Sequence, residues 1–313
     1  MNKSITQATQ NDKQISKSIK RFFTRFHISS ALKAANAYKR KGTPLPEIFQ
    51  YMFLLIFFNR SMYMSLLTGK NTPNFAKDTV YRFMKMVQIN WMRFTTILAS
   101  RIINNAILPL DSEDRANVLI IDDSMRALLE ATKKAAIPAK YVLFDSWFSS
   151  SSTLHAVKRM DLDVIGMVKK SPKMFFRYDG EDMSLISIYN KNKKRRGKSK
   201  YLLSVMVDVV KDGDIIPAKV IYVRNRNKRK EYLCLISTDV NLDENEIIRI
   251  YRKRWDIAVF IKVCKSYLNL SRECNSLSYD AMTAHTAVVF TRYMMLSLES
   301  WESNDKRSLG QCH

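Results

Sequence analysis

Two aspartates, Asp122 and Asp145, each end a short apolar run, and acids in that setting can take part in metal chemistry. Asp122 ends the run VLIID (118–122) and Asp145 ends KYVLFD (140–145). Continuous apolar runs of this length predict buried parallel strands. The segment between them, residues 125–136, is rich in Ala, Leu, Glu and Lys. That composition predicts a helix, and the whole stretch therefore predicts a β-α-β unit.

A β-α-β unit would bring the two carboxylates together. In a right-handed crossover the carboxyl ends of both strands lie at one edge of the sheet, about 5 Å apart if the strands are neighbours. Two acids at that distance repel unless a cation lies between them, and Mg²⁺ prefers such hard oxygen ligands. The alternative is that each aspartate only caps the helix that follows it. Asp123, Ser124 and Ser146 are available for that capping instead.

A third candidate segment reads IYRKRWDIAVFIKVCKSYLNL around residue 251. It contains Tyr251, Arg254, Ala258 and Lys265, and on one continuous helix these positions fall along a single stripe together with Lys262. The alternative interpretation is the ordinary basic face of a solvated helix.

These three segments together resemble bacterial insertion-sequence DNA transposases of the DDE type. LIIDDS (119–124) is similar to the strand that carries the first aspartate of that family, and FDSWFSS (144–150) is similar to the second. The segment around residue 251 resembles the family's Y-R-E-K signature helix. The resemblance covers roughly residues 115–300, in the family's order. It implies an α/β fold with an RNase H-like core, a helical N-terminal domain and a β-rich insertion before the C-terminal helices.

The resemblance also implies roles for the candidate residues. Asp122 and Asp145 would be the first and second ligands of Mg²⁺ or Mn²⁺, and Tyr251, Arg254 and Lys265 would contact phosphates at the transposon end. In such enzymes, two metal ions activate water or a DNA 3′-hydroxyl for attack on a phosphodiester. The choice between Asp122 and Asp123 stays open, although an acid at the strand end in a D-x-S pattern favours Asp122.

The chain departs from the family at the third carboxylate. Ala258 stands at the position of the signature Glu, and Asp256 lies about 200° around a helix from it. We therefore expect weakened metal binding and impaired catalysis. Only 22 residues separate Asp122 from Asp145, where the family has two further strands. Loss of that hairpin would leave both aspartates on neighbouring strands of a partly deleted core and uncover a strand edge.

The polar tail after Trp301 also suggests a truncated, degenerate copy. An engineered Glu to Ala change would explain Ala258 but not the short spacing.

Composition points to a polyanionic partner. The 313 residues include 52 Lys and Arg against 29 Asp and Glu, a formal net charge of +23. The alternative explanation of this charge is a generally basic protein that associates with RNA or with ribosomes. The four scattered cysteines favour reduced thiols. The longest apolar run, residues 51–58, is too short to cross a membrane. We therefore expect a cytoplasmic, nucleoid-associated bacterial protein without membrane contact.

The sequence pattern of the N-terminal region predicts helices, one of which is a candidate recognition helix for DNA. Pro44 and Pro46 are expected to open one helix, and Asp78 to cap another that runs to about Met86. On the second helix, three side chains lie within reach of one another, as in a recognition helix: Tyr81, Arg82 and Lys85. A solvated basic face is the alternative.

The region after residue 162 predicts a β-rich insertion with two basic tracts. Residues 201–210, 219–224 and 231–238 have strand patterns, and Asp212-Gly213 predicts a hairpin. The tracts 191–200 and 224–230 are expected in loops, where their charges suit phosphate contacts, among them Lys194, Arg195 and Arg196. Three aromatic residues near the candidate ligands are expected in the core rather than stacked on bases: Trp147, Phe148 and Trp255.

Four segments follow from these patterns: a helical, DNA-binding segment 1–112, the first part of the core at 113–162, the insertion at 163–240 and the C-terminal helices at 241–313. The leading functional hypothesis is a transposase, catalytically impaired, that acts as a homodimer on double-stranded DNA, both terminal repeats and target. The alternative is a catalytically dead protein that binds transposon ends and represses transposition.

Overall fold

The computed structural model describes residues 2–57, 73–110, 115–122, 125–196, 199–225, 228, 231–274 and 276–303. Its elements are, in chain order, α1 (Asn2–Arg25), α2 (Ile28–Ala34), α3 (Leu45–Leu54), α4 (Lys77–Met84), α5 (Trp91–Ile102), β1 (Val118–Ile120), α6 (Met125–Lys134), β2 (Tyr141–Phe144), α7 (Ser151–Lys158), β3 (Asp163–Val168), β4 (Phe175–Tyr178), β5 (Glu181–Ser184), α8 (Leu185–Lys191), β6 (Tyr201–Lys211), β7 (Asp214–Arg224), β8 (Tyr232–Ser237), α9 (Glu244–Arg252), α10 (Asp256–Ser266) and α11 (Tyr279–Glu302). The protein is therefore of mixed α/β class.

The chain forms two compact units. The helical unit comprises Met1–Asp111, Ala131–Ile137 and Ala258–His313, and the sheet unit comprises Ser112–Glu130 and Pro138–Ile257. The four-segment functional division predicted from the sequence stays a prediction. Among the described residues no helix is long and apolar enough to cross a membrane.

The helical unit packs around an aromatic core from both ends of the chain. Phe49 on α3 contacts Trp91 and Phe94 on α5, with ring centroids 6.2 and 5.1 Å apart. Arg292 on α11 is fully buried and donates to the backbone carbonyls of α3, at 3.1 Å to the Phe53 oxygen. The C-terminal helix is therefore part of the same core as the N-terminal helices.

Proline begins α3 as predicted, whereas the aspartate expected to cap α4 does not do so. Pro44 occupies the N-cap of α3 and Pro46 lies in its first turn, where a missing N–H costs nothing, as predicted. The prediction for α4 is wrong at both ends. Ala76 is at the N-cap, Asp78 lies in the first turn without making a side-chain cap, and the helix ends at Met84.

The sheet unit contains one eight-stranded sheet with the order β1-β2-β3-β8-β7-β6-β4-β5. The first three strands are parallel, in the register Ile120↔Leu143 for β1 and β2, and every other pairing is antiparallel. The predicted β-α-β unit, β1-α6-β2, is confirmed. Within the described residues, β1 pairs with β2 alone and forms an edge of the sheet.

The β-rich insertion extends that same sheet. The predicted hairpin joins β6 and β7, and Asp212 and Gly213 adopt the positive φ values of 51° and 87° that a tight two-residue turn requires. β4 and β5 were not predicted. Helices α7 and α8 cover one face of the sheet and α9 covers part of the other.

Candidate functional site

The two predicted carboxylates lie at the same edge of the sheet on neighbouring strands. Ile120 and Leu143 are register partners, and the backbone N–H of Ile121 donates to the Leu143 carbonyl at 3.0 Å. Asp122 and Asp145 each stand two residues beyond that pair, so they follow equivalent positions of two neighbouring parallel strands, which lie about 5 Å apart. Asp122 is exposed and Asp145 is half-buried.

Asp145 has a structural role as well as a position suited to chemistry. It caps the 3₁₀ turn Ser146–Phe148, and its Oδ1 accepts the backbone N–H of Trp147 at 2.9 Å. Ser146 does not cap the helix that follows, because Ser150 does so by accepting from the N–H of Thr153. One carboxylate oxygen of Asp145 is thus used locally. Asp123 and Ser124, the other capping candidates, lie outside the described residues.

A glycine on β3 keeps the strand before Asp145 in place. Gly166 pairs with Phe144, and a Cβ built on Gly166 would lie 2.4 Å from Cε2 of the Phe144 ring. Phe144 is fully buried. Any larger residue at position 166 would push on Phe144, whose backbone leads directly into Asp145.

Tyr251 lies near Asp145 and Arg254 lies near Tyr251, and each has a buried atom without a hydrogen-bond partner among the described residues. These atoms are the Oη of Tyr251 and the Nε of Arg254. Burial raises the pKa of Tyr251; the positive charge of Arg254 opposes the rise and the negative charge of Asp145 adds to it. Tyr251 therefore stays protonated, and two buried donors are available to an acceptor such as a phosphate oxygen.

The predicted single signature helix is interrupted. α9 ends at Arg252, a 3₁₀ turn spans Lys253–Trp255, and α10 begins at Asp256. Lys253 holds this turn by donating to the Ala116 carbonyl at 3.3 Å. A 3₁₀ turn has 3.0 residues per turn rather than 3.6, so it rotates later residues by about 60° relative to a continuous helix. The single-helix stripe is therefore wrong in detail.

The remaining residues of the predicted stripe belong to the helical unit. Ala258, Lys262 and Lys265 lie on α10 and are exposed. The described residues contain no cluster of three or more His, Cys, Asp or Glu side chains that could hold a metal ion. The described carboxylates thus provide two neighbouring candidate ligands and no third.

The other predicted DNA contacts are solvent-accessible. Tyr81 and Arg82 are exposed on α4, and Lys85 follows its last residue. The Nε of Arg82 donates to the Asp78 carbonyl at 3.2 Å. Lys194, Arg195 and Arg196 lie in the loop between α8 and β6, as expected for the basic tract.

Two tryptophans predicted to lie in the core are instead exposed. Trp147 is 83% and Trp255 63% exposed, and the guanidinium of Arg254 lies 5.1 Å from the Trp255 ring centroid. Phe148 is half-buried and packs against Phe144. The sequence offered one signal for Trp147: it stands inside D-S-W-F-S-S, a run of turn-forming and capping residues where a buried side chain is unusual.

The structure thus places two carboxylates at the ends of neighbouring parallel strands, with the buried phenol of Tyr251 near Asp145. A family profile described as the transposase DDE domain matches residues 122–295, beginning at Asp122 itself. The chain belongs to that family. No curated protein matches it.

Proposed function

We propose that this protein is a DNA transposase whose sheet unit is a shortened RNase H-like core, with Asp122 and Asp145 as metal ligands. The observation that carries the proposal is the position of the two carboxylates at equivalent ends of neighbouring parallel strands, within the residues that match the family. β1 at the sheet edge supports the deletion of a hairpin that would otherwise cover it. The finding of adjacent aspartates despite their short spacing agrees with that explanation.

The residues fit a divalent cation in part. Asp122 and the free oxygen of Asp145 are hard ligands, and a bound Mg²⁺ or Mn²⁺ would supply Lewis-acid activation of a phosphodiester. Tyr251 and Arg254 would donate to the oxygens of that phosphate, which would satisfy both buried atoms. The expected DNA partners are terminal repeats and target DNA, bound by a homodimer near the bacterial nucleoid.

Ala258 is expected to impair this activity. It has no oxygen to offer, so two carboxylates must do work that three do in the family. Loss of one metal-bridging carboxylate is expected to raise the activation barrier by several kcal/mol, or about a thousandfold or more in rate.

Restoring the third carboxylate tests the proposal. The side chain at 258 is exposed, so Ala258→Glu should fold as the unchanged protein does. With Mg²⁺ or Mn²⁺ and a duplex carrying the element's own terminal repeat, we expect Ala258→Glu to cleave and the unchanged protein to cleave weakly or not at all. Ala258→Gln is the matched control, since it has the size of Glu without its charge. Equal cleavage by all three proteins would refute the assigned role of position 258.

The alternative function, a repressor that binds transposon ends without cutting them, is favoured by the same alanine. The unchanged protein would then bind the terminal repeat and inhibit an intact transposase on it. End binding without cleavage by the unchanged protein supports repression, and binding without preference for the repeat supports a general nucleic-acid-binding protein.

A further inference from the structure

The two edges of the sheet differ in charge. β8 and β6 are antiparallel to the strands beside them, so they begin at the edge where β2 and β3 end. The residues next to those strand ends therefore lie at the same edge as Asp122 and Asp145: Lys169 and Lys170 after β3, residues 192–196 and 199–200 before β6, and Asn225, Lys228 and Glu231 between β7 and β8. The described residues that lead into β6 and β8 from the two basic tracts thus belong to the edge that carries the candidate ligands.

The cations at this carboxylate edge are numerous. In the described residues they are Lys169, Lys170, Lys193, Lys194, Arg195, Arg196, Lys200, Arg224 and Lys228, of which Lys228 pairs with Glu231 at 3.1 Å. At the opposite edge the cations are matched by acids in ion pairs: Lys140–Asp239 at 3.3 Å, Lys158–Asp163 at 2.8 Å, Arg159–Asp214 at 3.1 Å and Lys211–Asp212 at 3.5 Å. A polyanion is therefore attracted more strongly to the carboxylate edge than to the opposite edge.

Several cations at the carboxylate edge are held on aromatic rings. The rings of Tyr189 and Tyr232 stack with centroids 4.1 Å apart. The Nζ of Lys170 lies 4.5 Å from the Tyr232 centroid and that of Lys194 lies 4.5 Å from the Tyr189 centroid. Arg195 lies similarly, 4.7 Å from the ring of Tyr201. We call Lys170, Lys194, Arg195 and their rings the tyrosine–lysine patch.

The charges of this patch are not neutralised within the described part of the chain. None of Lys170, Lys194 and Arg195 has a carboxylate within 4.0 Å there, unlike the paired cations of the opposite edge. A ring beneath an ammonium group restricts its position without removing its charge. Cations fixed in this way lose less conformational entropy when they bind a phosphate.

We propose that the tyrosine–lysine patch holds backbone phosphates of the same duplex whose scissile phosphodiester lies at Asp122 and Asp145. From β2 the patch spans two to four strand steps, to β8 and β6, or about 10 to 19 Å at the usual strand spacing. With a rise of about 3.4 Å per base pair, its phosphates lie about three to six base pairs from the scissile position. The position of the scissile phosphodiester rests on the proposed function; DNA binding by the patch does not.

DNA binding by the patch is tested with a random-sequence duplex. Lys170→Gln/Lys194→Gln should reduce the slope of log affinity against log salt by about two, because each lost phosphate contact removes about 0.9. Arg159→Gln/Lys211→Gln removes two charges from the opposite edge and should leave the slope unchanged. Lys170→Arg/Lys194→Arg should bind as the unchanged protein does. Equal slopes in the Gln variant and the unchanged protein, with equal thermal melting, would overturn the proposal.

The spacing along the DNA is tested with a covalent tether. In a chain with Cys274→Ser and Cys312→Ser, the thiol of Ser146→Cys beside Asp145 exchanges with an activated disulfide on one DNA phosphate, which fixes the register. A neutral methylphosphonate is then moved along the duplex. The rate of disulfide formation should fall when the methylphosphonate lies about three to six base pairs from the tether. This effect should vanish in Lys170→Gln/Lys194→Gln.

The outcomes separate the two proposals. A position effect outside that window, or one that the Gln variant retains, overturns the patch. The expected position effect in a protein that Ala258→Glu fails to activate would contradict the proposed transposase chemistry and leave the patch as a DNA-binding surface.

Discussion

At the scale of single residues, Asp145 combines a local structural role with a position suited to metal binding. One oxygen accepts the N–H of Trp147, and the other has no hydrogen-bond partner within the part of the chain that the structure describes. The two roles differ in what they require: capping needs an acceptor oxygen, whereas binding a cation needs the negative charge.

Substitutions at Asp145 should separate these roles. Asp145→Asn keeps the acceptor, so we expect an unchanged melting temperature and lost Mn²⁺ binding, measured by calorimetry. Asp145→Ala should lose Mn²⁺ binding and also about 1 kcal/mol of stability, because the Trp147 N–H loses its partner. Mn²⁺ affinity retained in Asp145→Asn would show that this carboxylate is not a ligand.

Two buried thiols make stability depend on pH in the alkaline range. Burial raises the pKa of Cys234 and of Cys264 from 9.0 to about 12. The unfolded chain ionises these thiols at lower pH than the folded chain does. Their stabilising contribution is complete below about pH 9 and is lost as the pH rises toward 12.

Urea unfolding at increasing pH tests this prediction. The free energy of unfolding should fall above about pH 9, and the fall should be shallower in Cys234→Ala/Cys264→Ala than in the unchanged protein. Parallel pH curves in the two proteins would assign the alkaline loss of stability to other groups.

At the scale of elements, the packing of β2 against β3 depends on Gly166. We expect Gly166→Ala to lower stability by about 1–3 kcal/mol, because its Cβ would overlap the Phe144 ring. Adding Phe144→Leu should recover part of the loss by making room. Gly180→Ala is a useful comparison, since a Cβ there has open space and only the positive φ opposes it. An undisturbed melting temperature in Gly166→Ala would contradict the clash.

Local signals in the sequence predicted much of this element structure. Apolar runs predicted β1 and β2, and Asp212-Gly213 predicted the β6–β7 hairpin, because each depends on adjacent residues. β4 and β5 were missed because each has four residues, and Glu181 and Asp182 are poor strand formers. The break in the helix at Lys253–Trp255 contains neither glycine nor proline, so no local residue pattern predicted it.

The candidate site was predictable to a similar extent. Asp122 and Asp145 could be placed together because β-α-β geometry follows from chain order. The exposure of Trp147 and Trp255 could not be predicted, because exposure depends on which distant elements cover a residue rather than on its type. The shared edge of the carboxylates and the basic tracts required the strand order, which pairs β3 with β8 across 63 intervening residues between Val168 and Tyr232.

At the scale of the whole molecule, the helical unit depends on one buried cation. Arg292 on α11 donates to carbonyls of α3 and to the Leu268 carbonyl, and it pairs with Glu273 at 2.8 Å. This arrangement satisfies the charge and several backbone oxygens from both ends of the chain at once. The helical unit should therefore not fold from its N-terminal part alone.

Removing that cation should be costly. Arg292→Met removes the arginine partner of Glu273 and of the Met52, Phe53 and Leu268 carbonyls, and we expect a loss of about 3–5 kcal/mol in urea unfolding. Arg126→Met, which removes an exposed arginine paired with Glu130, should cost at most about 0.5 kcal/mol. A loss in Arg292→Met no larger than in Arg126→Met would show that the buried network contributes little.

The position of β1 at the end of the sheet also bears on how copies of this protein behave in concentrated solution. An open strand edge offers unpaired backbone groups on which another chain can add a strand, and long edges of this kind lead to aggregation. β1 is three residues long, so few such groups are offered. We therefore expect this protein to remain dispersed, because so short an edge strand gives another chain few backbone groups to pair with.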